Sequence, residues 1–241
     1  MAEPVAPVRQ AASAMHEKII VFDIDGTLLQ AVDTHQLAMA RAMDASELLH
    51  KDPQWAHYAN HTDSGVYYEA YEKSFGKAPS EAECRAFEAL FQTCYDGLVA
   101  ADADAEVPGA LRMLSRLEAS GEWLLAYATG SYRGPAEHKL QRLGVASRSC
   151  VLVTASEFRT RREIVADAIR RRLAGREHHP RGRTVSVGDG PWDARTAAEL
   201  GLRFIGVADE VRAPLLMQLG ARAVVPDFVD FPRFMNALEA A

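Results

Sequence analysis

The chain has 241 residues, 48% hydrophobic and 25% charged, with 27 Lys+Arg against 33 Asp+Glu and a formal net charge of −6. That length fits one large α/β domain or a domain with a smaller insert, and the ordinary composition excludes a fibrous, disordered or disulfide-stapled chain. No apolar run approaches the roughly 20 residues of a spanning helix, and phosphate-backbone affinity needs clustered Lys and Arg, so neither a membrane nor a nucleic acid is expected as a partner.

Residues 1–17 are Ala/Pro-rich without an apolar core segment and read as a flexible leader, not a secretion signal. Cys84, Cys94 and Cys150 are an odd set with no C-x-x-C spacing, which points to free thiols in a reducing cytoplasm. The first apolar run is KIIVF (18–22). Residues 32–103 then carry no good strand: 35–49 reads as helix, and Ser80-Glu81-Ala82-Glu83 is a capping box before Phe87, Leu90, Phe91, Cys94 and Leu98 at helical spacing. This interval holds five Lys+Arg against twelve Asp+Glu, read as a well-solvated helical surface.

Beyond it a helix carries Leu111, Leu114 and Leu117, followed by the run WLLAYA (123–128) and then SCVLV (149–153). A second helix carries Ile164, Val165, Ala168 and Ile169, and the last runs are TVSV (184–187) and RFIGV (203–207). Each run is short and nearly continuous in hydrophobicity, as parallel strands buried on both faces require. Gly121, Gly144, Gly175 and Gly201 follow helical stretches, and Pro108, Pro135 and Pro191 stand where helices begin. Strands alternating with helices imply right-handed crossovers and a doubly wound parallel sheet.

In such a sheet, ligands bind at the carboxyl ends of the strands. The first run ends in Asp23-Ile24-Asp25-Gly26-Thr27, the second in Thr129-Gly130-Ser131, and the fourth in Gly188-Asp189-Gly190-Pro191-Trp192-Asp193. Asp23, Asp25, Asp189 and Asp193 on one edge would repel unless a cation sat among them, and an all-oxygen set suits Mg²⁺ before Zn²⁺. One carboxylate of D-x-D can attack while the other handles a proton, which suits phosphoryl transfer through an aspartyl phosphate.

At these residues the sequence resembles the haloacid dehalogenase superfamily, in its phosphatase branch with a helical cap. FDIDGTLL (22–29), AYATGS (126–131) and VGDGPWD (187–193) carry the resemblance. It implies an α/β, Rossmann-like sheet core over 18–31 and 104–241, with the runs ordered 5-4-1-2-3 or its mirror listing, and a cap domain over 32–103. It further implies Asp23 as nucleophile, Asp25 as general acid/base and Thr129, with Gly130, as the phosphate-binding pair. Mg²⁺ would be held by Asp23, Asp189, Asp193 and the backbone carbonyl of Asp25. The family's third motif is usually a Lys before a helix; FRTRREIV (158–165) has none, so Arg161 comes first and Arg162 second for that role, with a different reach from Lys. Arg170, Arg171, Arg172 and Arg176 nearby read as a solvated face.

His35, twelve residues after Asp23, has a spacing that resembles β-phosphoglucomutase, and His57, His61, Tyr67, Tyr68 and Tyr71 are candidates to line the pocket. The expected activity is a phosphoglycolate-phosphatase-like hydrolysis of a small phosphorylated metabolite by a cytoplasmic monomer or homodimer. A phosphomutase and a non-catalytic phosphate- or Mg²⁺-binding module of the same fold are the alternatives.

Overall fold

The computed structural model describes residues 18–52, 54–99, 105–145, 150–175 and 183–240. At its centre lies β1 (Lys18–Phe22), with β4 (Trp123–Ala128) and β6 (Thr184–Gly188) as parallel neighbours. β5 (Val151–Val153) extends the sheet beyond β4, and β7 (Arg203–Val207) and β8 (Ala223–Val225) extend it beyond β6, giving the order β5-β4-β1-β6-β7-β8. The five apolar runs thus appear in the mirror listing of the expected order. β8 is an addition: its three residues stop before Pro226 and are too short to stand out by hydrophobicity. The leader, Arg176 and the expected first residue of the third run lie outside the described residues.

Alternation along β1 explains why its sequence is apolar throughout. Ile20 and Phe22 face one layer, formed by α4 (Ala110–Ser120), α5 (Arg133–Arg142) and α9 (Phe231–Ala240). Ile19 and Val21 face the other, where α6 (Arg161–Arg172) presents Ile164, Val165 and Ala168. α7 (Pro191–Leu200) and α8 (Ala213–Gln218) complete that side around Phe204 and Leu216. On α4 the buried stripe is Ala110, Met113, Leu114 and Leu117, and Leu111 faces solvent instead of the core. The i, i+3 spacing of the three leucines fits one face, but the buried face is centred between Ala110, Met113, Leu114 and Leu117, which leaves Leu111 at its outer edge. Arg170 and Arg171 both pair with Asp167 along α6.

The chain leaves and re-enters the core through a two-stranded antiparallel ribbon, β2 (Leu29–Gln30) with β3 (Ala105–Glu106). Between them lie α1 (Val32–Ala45), a short 3-10 turn at Trp55–His57, α2 (Asp63–Phe75) and α3 (Glu81–Val99). α1 begins three residues before the expected 35 and ends at Ala45, where Ser46 turns its hydroxyl back onto the Met43 carbonyl. The capping box at the start of α3 forms as read, Ser80 and Glu83 bonding each other's backbone N–H. These helices bury a core of their own, including Met39, Tyr67, Phe87, Phe91 and Tyr95, with the Tyr67 and Phe87 rings stacked 4.0 Å apart. The N-terminus of α2 docks on the sheet's carboxyl edge. Thr62 Oγ1 donates to the Arg159 carbonyl (2.6 Å), and the Asp63 N–H donates to the Gly130 carbonyl (2.8 Å). Among the described residues no helix is long and apolar enough to cross a membrane.

Candidate active site

Three strand ends and one helix start meet at this edge. After β1 the backbone is pinned by the Asp23 N–H on the Val187 carbonyl (2.9 Å), then turns through Gly26 at φ +79°. No side chain fits there, since a Cβ would lie 2.3 Å from Asp189 Oδ2; the glycine is what lets the first and fourth strand ends close on each other. After β6, Pro191 opens α7 and the Gly190 N–H donates to Asp193 Oδ2 (3.0 Å), so the helix start orients that carboxylate. After β4, Thr129 Oγ1 accepts from the Ser131 N–H (3.1 Å), with Thr129 buried.

Asp23, Asp189 and Asp193, all buried, each offer an oxygen within 4.8 Å of the others. Arg161, the first residue of α6, aims its guanidinium into this group: Nη1 donates to Asp23 Oδ1 (2.9 Å) and Asp193 Oδ1 (2.7 Å), and Nε to the His61 carbonyl (3.0 Å). Arg162 is exposed and lies at the outer mouth. Arg212 Nη1 reaches Asp189 Oδ2 (3.1 Å), while Asp189 Oδ1 is buried with no hydrogen-bond partner. Burial, then the charge of Asp23, pushes Asp189 up to about 7 against the pull of Arg212 and Arg161. Asp23 and Asp193 are raised by burial too, with Arg161 opposing. Carboxylates so reluctant to ionise together, with one oxygen left without a partner and no sulfur or imidazole among them, are a donor set that fits a hard divalent cation such as Mg²⁺.

The side chain of Asp25 does not join them. It turns to the buried ammonium of Lys139, 2.5 Å from Oδ1, and accepts the Ser131 hydroxyl on Oδ2 (2.6 Å). Its own burial raises its pKa, but the charge of Lys139, with the hydrogen bonds from Lys139 and Ser131, outweighs this and brings Asp25 to about 2. His35 is buried as well, with Nδ1 3.1 Å from Lys139 Nζ and Nε2 2.8 Å from Asp63 Oδ1. An ammonium has only donors, so Nδ1 accepts and Nε2–H donates to Asp63. The other oxygen of Asp63 accepts the Tyr132 N–H (2.7 Å).

A cavity of about 50 Å³ opens over these groups, lined by Asp25, Val32, His35, Gln36, Trp55, His61, Asp63, Gly130, Ser131, Arg161 and Trp192. His61 stacks on Trp192 at 4.9 Å and closes its outer side. Of the other candidate lining residues, His57 is exposed and bound to Asp52, and Tyr67 and Tyr71 are buried inside the helical insert with hydroxyls on Glu83. Tyr68 packs under the Arg159 guanidinium. They fall on the wrong faces of their helices: the insert's own core takes the tyrosines that periodicity alone cannot distinguish from pocket residues.

Lys139, Asp63, Ser131 and Arg212 are site residues that sequence reading did not single out. For Lys139 there was a signal, because it occupies the buried stripe of α5 with Ala136 and Leu140, where an apolar residue belongs.

The model of the haloacid dehalogenase-like hydrolase family matches residues 17–201. The chain belongs to this family. A phosphoglycolate phosphatase from Mesorhizobium japonicum is 26% identical over 197 residues, 80% of this chain and 83% of its own. Two solved structures share the family fold. A hydrolase from Pseudomonas syringae superposes with a TM-score of 0.71 at 19% identity, covering 91% of this chain and 98% of its own. CbbY from Rhodobacter sphaeroides, solved with phosphate, superposes with a TM-score of 0.62 at 20% identity, covering 89% and 96%.

Proposed function

We propose that this hydrolase is a Mg²⁺-dependent phosphatase acting on a small phosphomonoester, phosphoglycolate-phosphatase-like, through an aspartyl phosphate on Asp23. The observation that carries the reading is the buried Asp23–Asp189–Asp193 cluster, with Arg161 bridging Asp23 and Asp193 at its open side. Asp23, Asp189, Asp193 and the backbone carbonyl of Asp25 would hold Mg²⁺, which when bound supplies neutralising charge for the phosphate and the nucleophile.

Asp23 attacks phosphorus in line and the bond from phosphorus to the ester oxygen breaks. Arg161, 2.9 Å from the nucleophile, is set to hold the charge spreading over the phosphoryl oxygens, with the Thr129 hydroxyl and the Gly130 backbone beside it. Asp25 gives the leaving alkoxide its proton. In the resting protein Asp25 is a carboxylate, and a phosphate dianion beside it favours protonation, because like charges raise a carboxylate's pKa. The carboxylate so restored then takes a proton from the water that attacks the aspartyl phosphate, freeing phosphate and Asp23. The helical insert, docked through Thr62, Asp63 and His61, acts as the cap that excludes bulk water.

The test is phosphate release from a panel of small phosphomonoesters with Mg²⁺ and with chelator. Asp25→Asn should lower kcat/KM for alkyl phosphates by about 10²-fold and for nitrophenyl phosphate, a better leaving group, far less. Equal losses on both substrates would remove Asp25 from the proton-transfer role.

The raised carboxylates make metal binding and stability depend on pH. Asp189 moves from its ordinary 3.8 to about 7, so between these values the folded chain holds a proton that the unfolded chain has lost. The metal-free protein should therefore lose stability as pH rises from about 4 through about 7, while Mg²⁺, which competes with protons for the same oxygens, binds more tightly. Melting temperatures in chelator and in Mg²⁺ should diverge between about pH 5 and about pH 8, the gain from Mg²⁺ being larger at the higher pH. A gain independent of pH would mean that these carboxylates do not hold the ion.

The mutase alternative rests on His35, and its geometry weighs against it. Both ring nitrogens are taken, one by Lys139 and one by Asp63, which leaves neither for a sugar hydroxyl.

A further inference from the structure

We infer that Lys139 is a positioning residue that fixes the carboxylate of Asp25 for proton transfer and ties that carboxylate, through His35 and Asp63, to the docked helical insert. A lysine on the buried stripe of a ten-residue helix strips an ammonium of water, so it persists only where the acceptors are in place. Here there is one acceptor for each of its three donors: Asp25 Oδ1 at 2.5 Å, His35 Nδ1 at 3.1 Å and Ser131 Oγ at 3.4 Å. The ring of Tyr95 lies 5.4 Å beneath it.

Two features separate this arrangement from an ordinary core ion pair. First, Lys139 is 0% exposed and does not line the cavity, so it cannot touch substrate and can act only through Asp25, which does line it. Lys139 takes Oδ1 of Asp25 and the Ser131 hydroxyl takes Oδ2, so neither oxygen can swing toward Asp23, Asp189 and Asp193. Second, the chain of bonds continues outward. His35 on α1 donates to Asp63, the first residue of α2, whose N–H and second oxygen bond the Gly130 carbonyl and the Tyr132 N–H of the phosphate-side loop. Asp25 keeps a partly exposed face toward the cavity, and from Lys139 onward the links through His35 and Asp63 to Tyr132 are buried.

The inference rests on the phosphatase reading, and a double-mutant cycle tests the two separately. Wild type, Lys139→Met, Asp25→Asn and the double variant are compared with Mg²⁺ on an alkyl phosphate and on nitrophenyl phosphate. Lys139→Met is expected to lower kcat for the alkyl phosphate by about 30-fold, less than the roughly 10²-fold or more that losing the proton transfer itself costs, with KM changed less than about threefold and a smaller loss on nitrophenyl phosphate. In the Asp25→Asn background the same substitution should cost less than about threefold, because the group it positions is gone. Should the Met variant not fold, Lys139→Gln, which keeps an N–H donor toward Asp25, is read in the same cycle, and folding is followed by thermal melting. Losses that multiply in the double variant, or that fall on KM or on both substrates alike, overturn the role of Lys139 and leave the phosphatase reading standing. A folded wild type that releases no phosphate overturns both.

Discussion

Asp23→Asn is expected to lower Mg²⁺-dependent phosphate release by about 10³-fold or more, because an amide of nearly the same shape cannot attack phosphorus. The loss should be chemical and not structural. Asp23 is one of three buried carboxylates whose mutual repulsion and desolvation already disfavour ionisation, so neutralising it relieves the cluster when no metal is bound. The variant should therefore melt at or above the wild-type temperature in chelator and gain less than wild type from Mg²⁺, since one ligand charge is missing. The measurement is phosphate release beside thermal melting for both proteins. A fully active Asp23→Asn would refute covalent catalysis at this residue; an inactive variant that no longer folds would leave the assignment to trapping of the aspartyl phosphate in wild type.

Much of this site could be read from sequence because its parts are local in the chain. Asp23 and Asp25 share one turn with Gly26, and Asp189 and Asp193 share one helix start with Pro191, so strand-end position and a few spacings suffice to put them on one edge. The five apolar runs were legible for the same reason, since burial on both faces leaves them no polar alternation. What escaped depends on contacts between distant segments. Lys139 meets Asp25 across 114 residues of chain, and His35 meets Asp63 across 28. A Lys at a stripe position of α5 signals that a buried partner exists, but nothing local says which carboxylate it is. Leu111 shows the opposite failure: helical spacing gives the period of a stripe, and only packing gives its phase. The tyrosines of α2 fail in this way too, since a residue facing the insert's core and one facing a cavity look alike until the helices are docked.

Arg161→Ala is expected to lower kcat/KM by about 10²- to 10³-fold, the cost of removing a preorganised donor from a developing phosphoryl charge. It should also destabilise the metal-free protein by about 3 kcal/mol, because the substitution leaves two buried carboxylates without their shared cation. The guanidinium reaches Asp23 at 2.9 Å and Asp193 at 2.7 Å through Nη1, and it holds the His61 carbonyl through Nε at 3.0 Å. It therefore ties the core to the loop that carries the insert into place as well as balancing charge. Arg161→Lys separates these functions. An ammonium on a shorter stem keeps the charge but lacks the fork, so the bond to His61 is lost and an intermediate defect of about tenfold should remain. Mg²⁺ should recover much of the stability lost in Arg161→Ala, by screening the same carboxylates, without recovering the rate. Arg162→Ala is the internal control: its side chain is exposed at the outer mouth, and its removal should leave kcat/KM within about threefold of wild type. Activities and melting temperatures for the three variants, each with Mg²⁺ and with chelator, decide the matter. If Arg162→Ala proved as damaging as Arg161→Ala, the positive charge that serves the phosphoryl group would have to come from the mouth of the site, and the bridge between Asp23 and Asp193 would be a scaffold contact only.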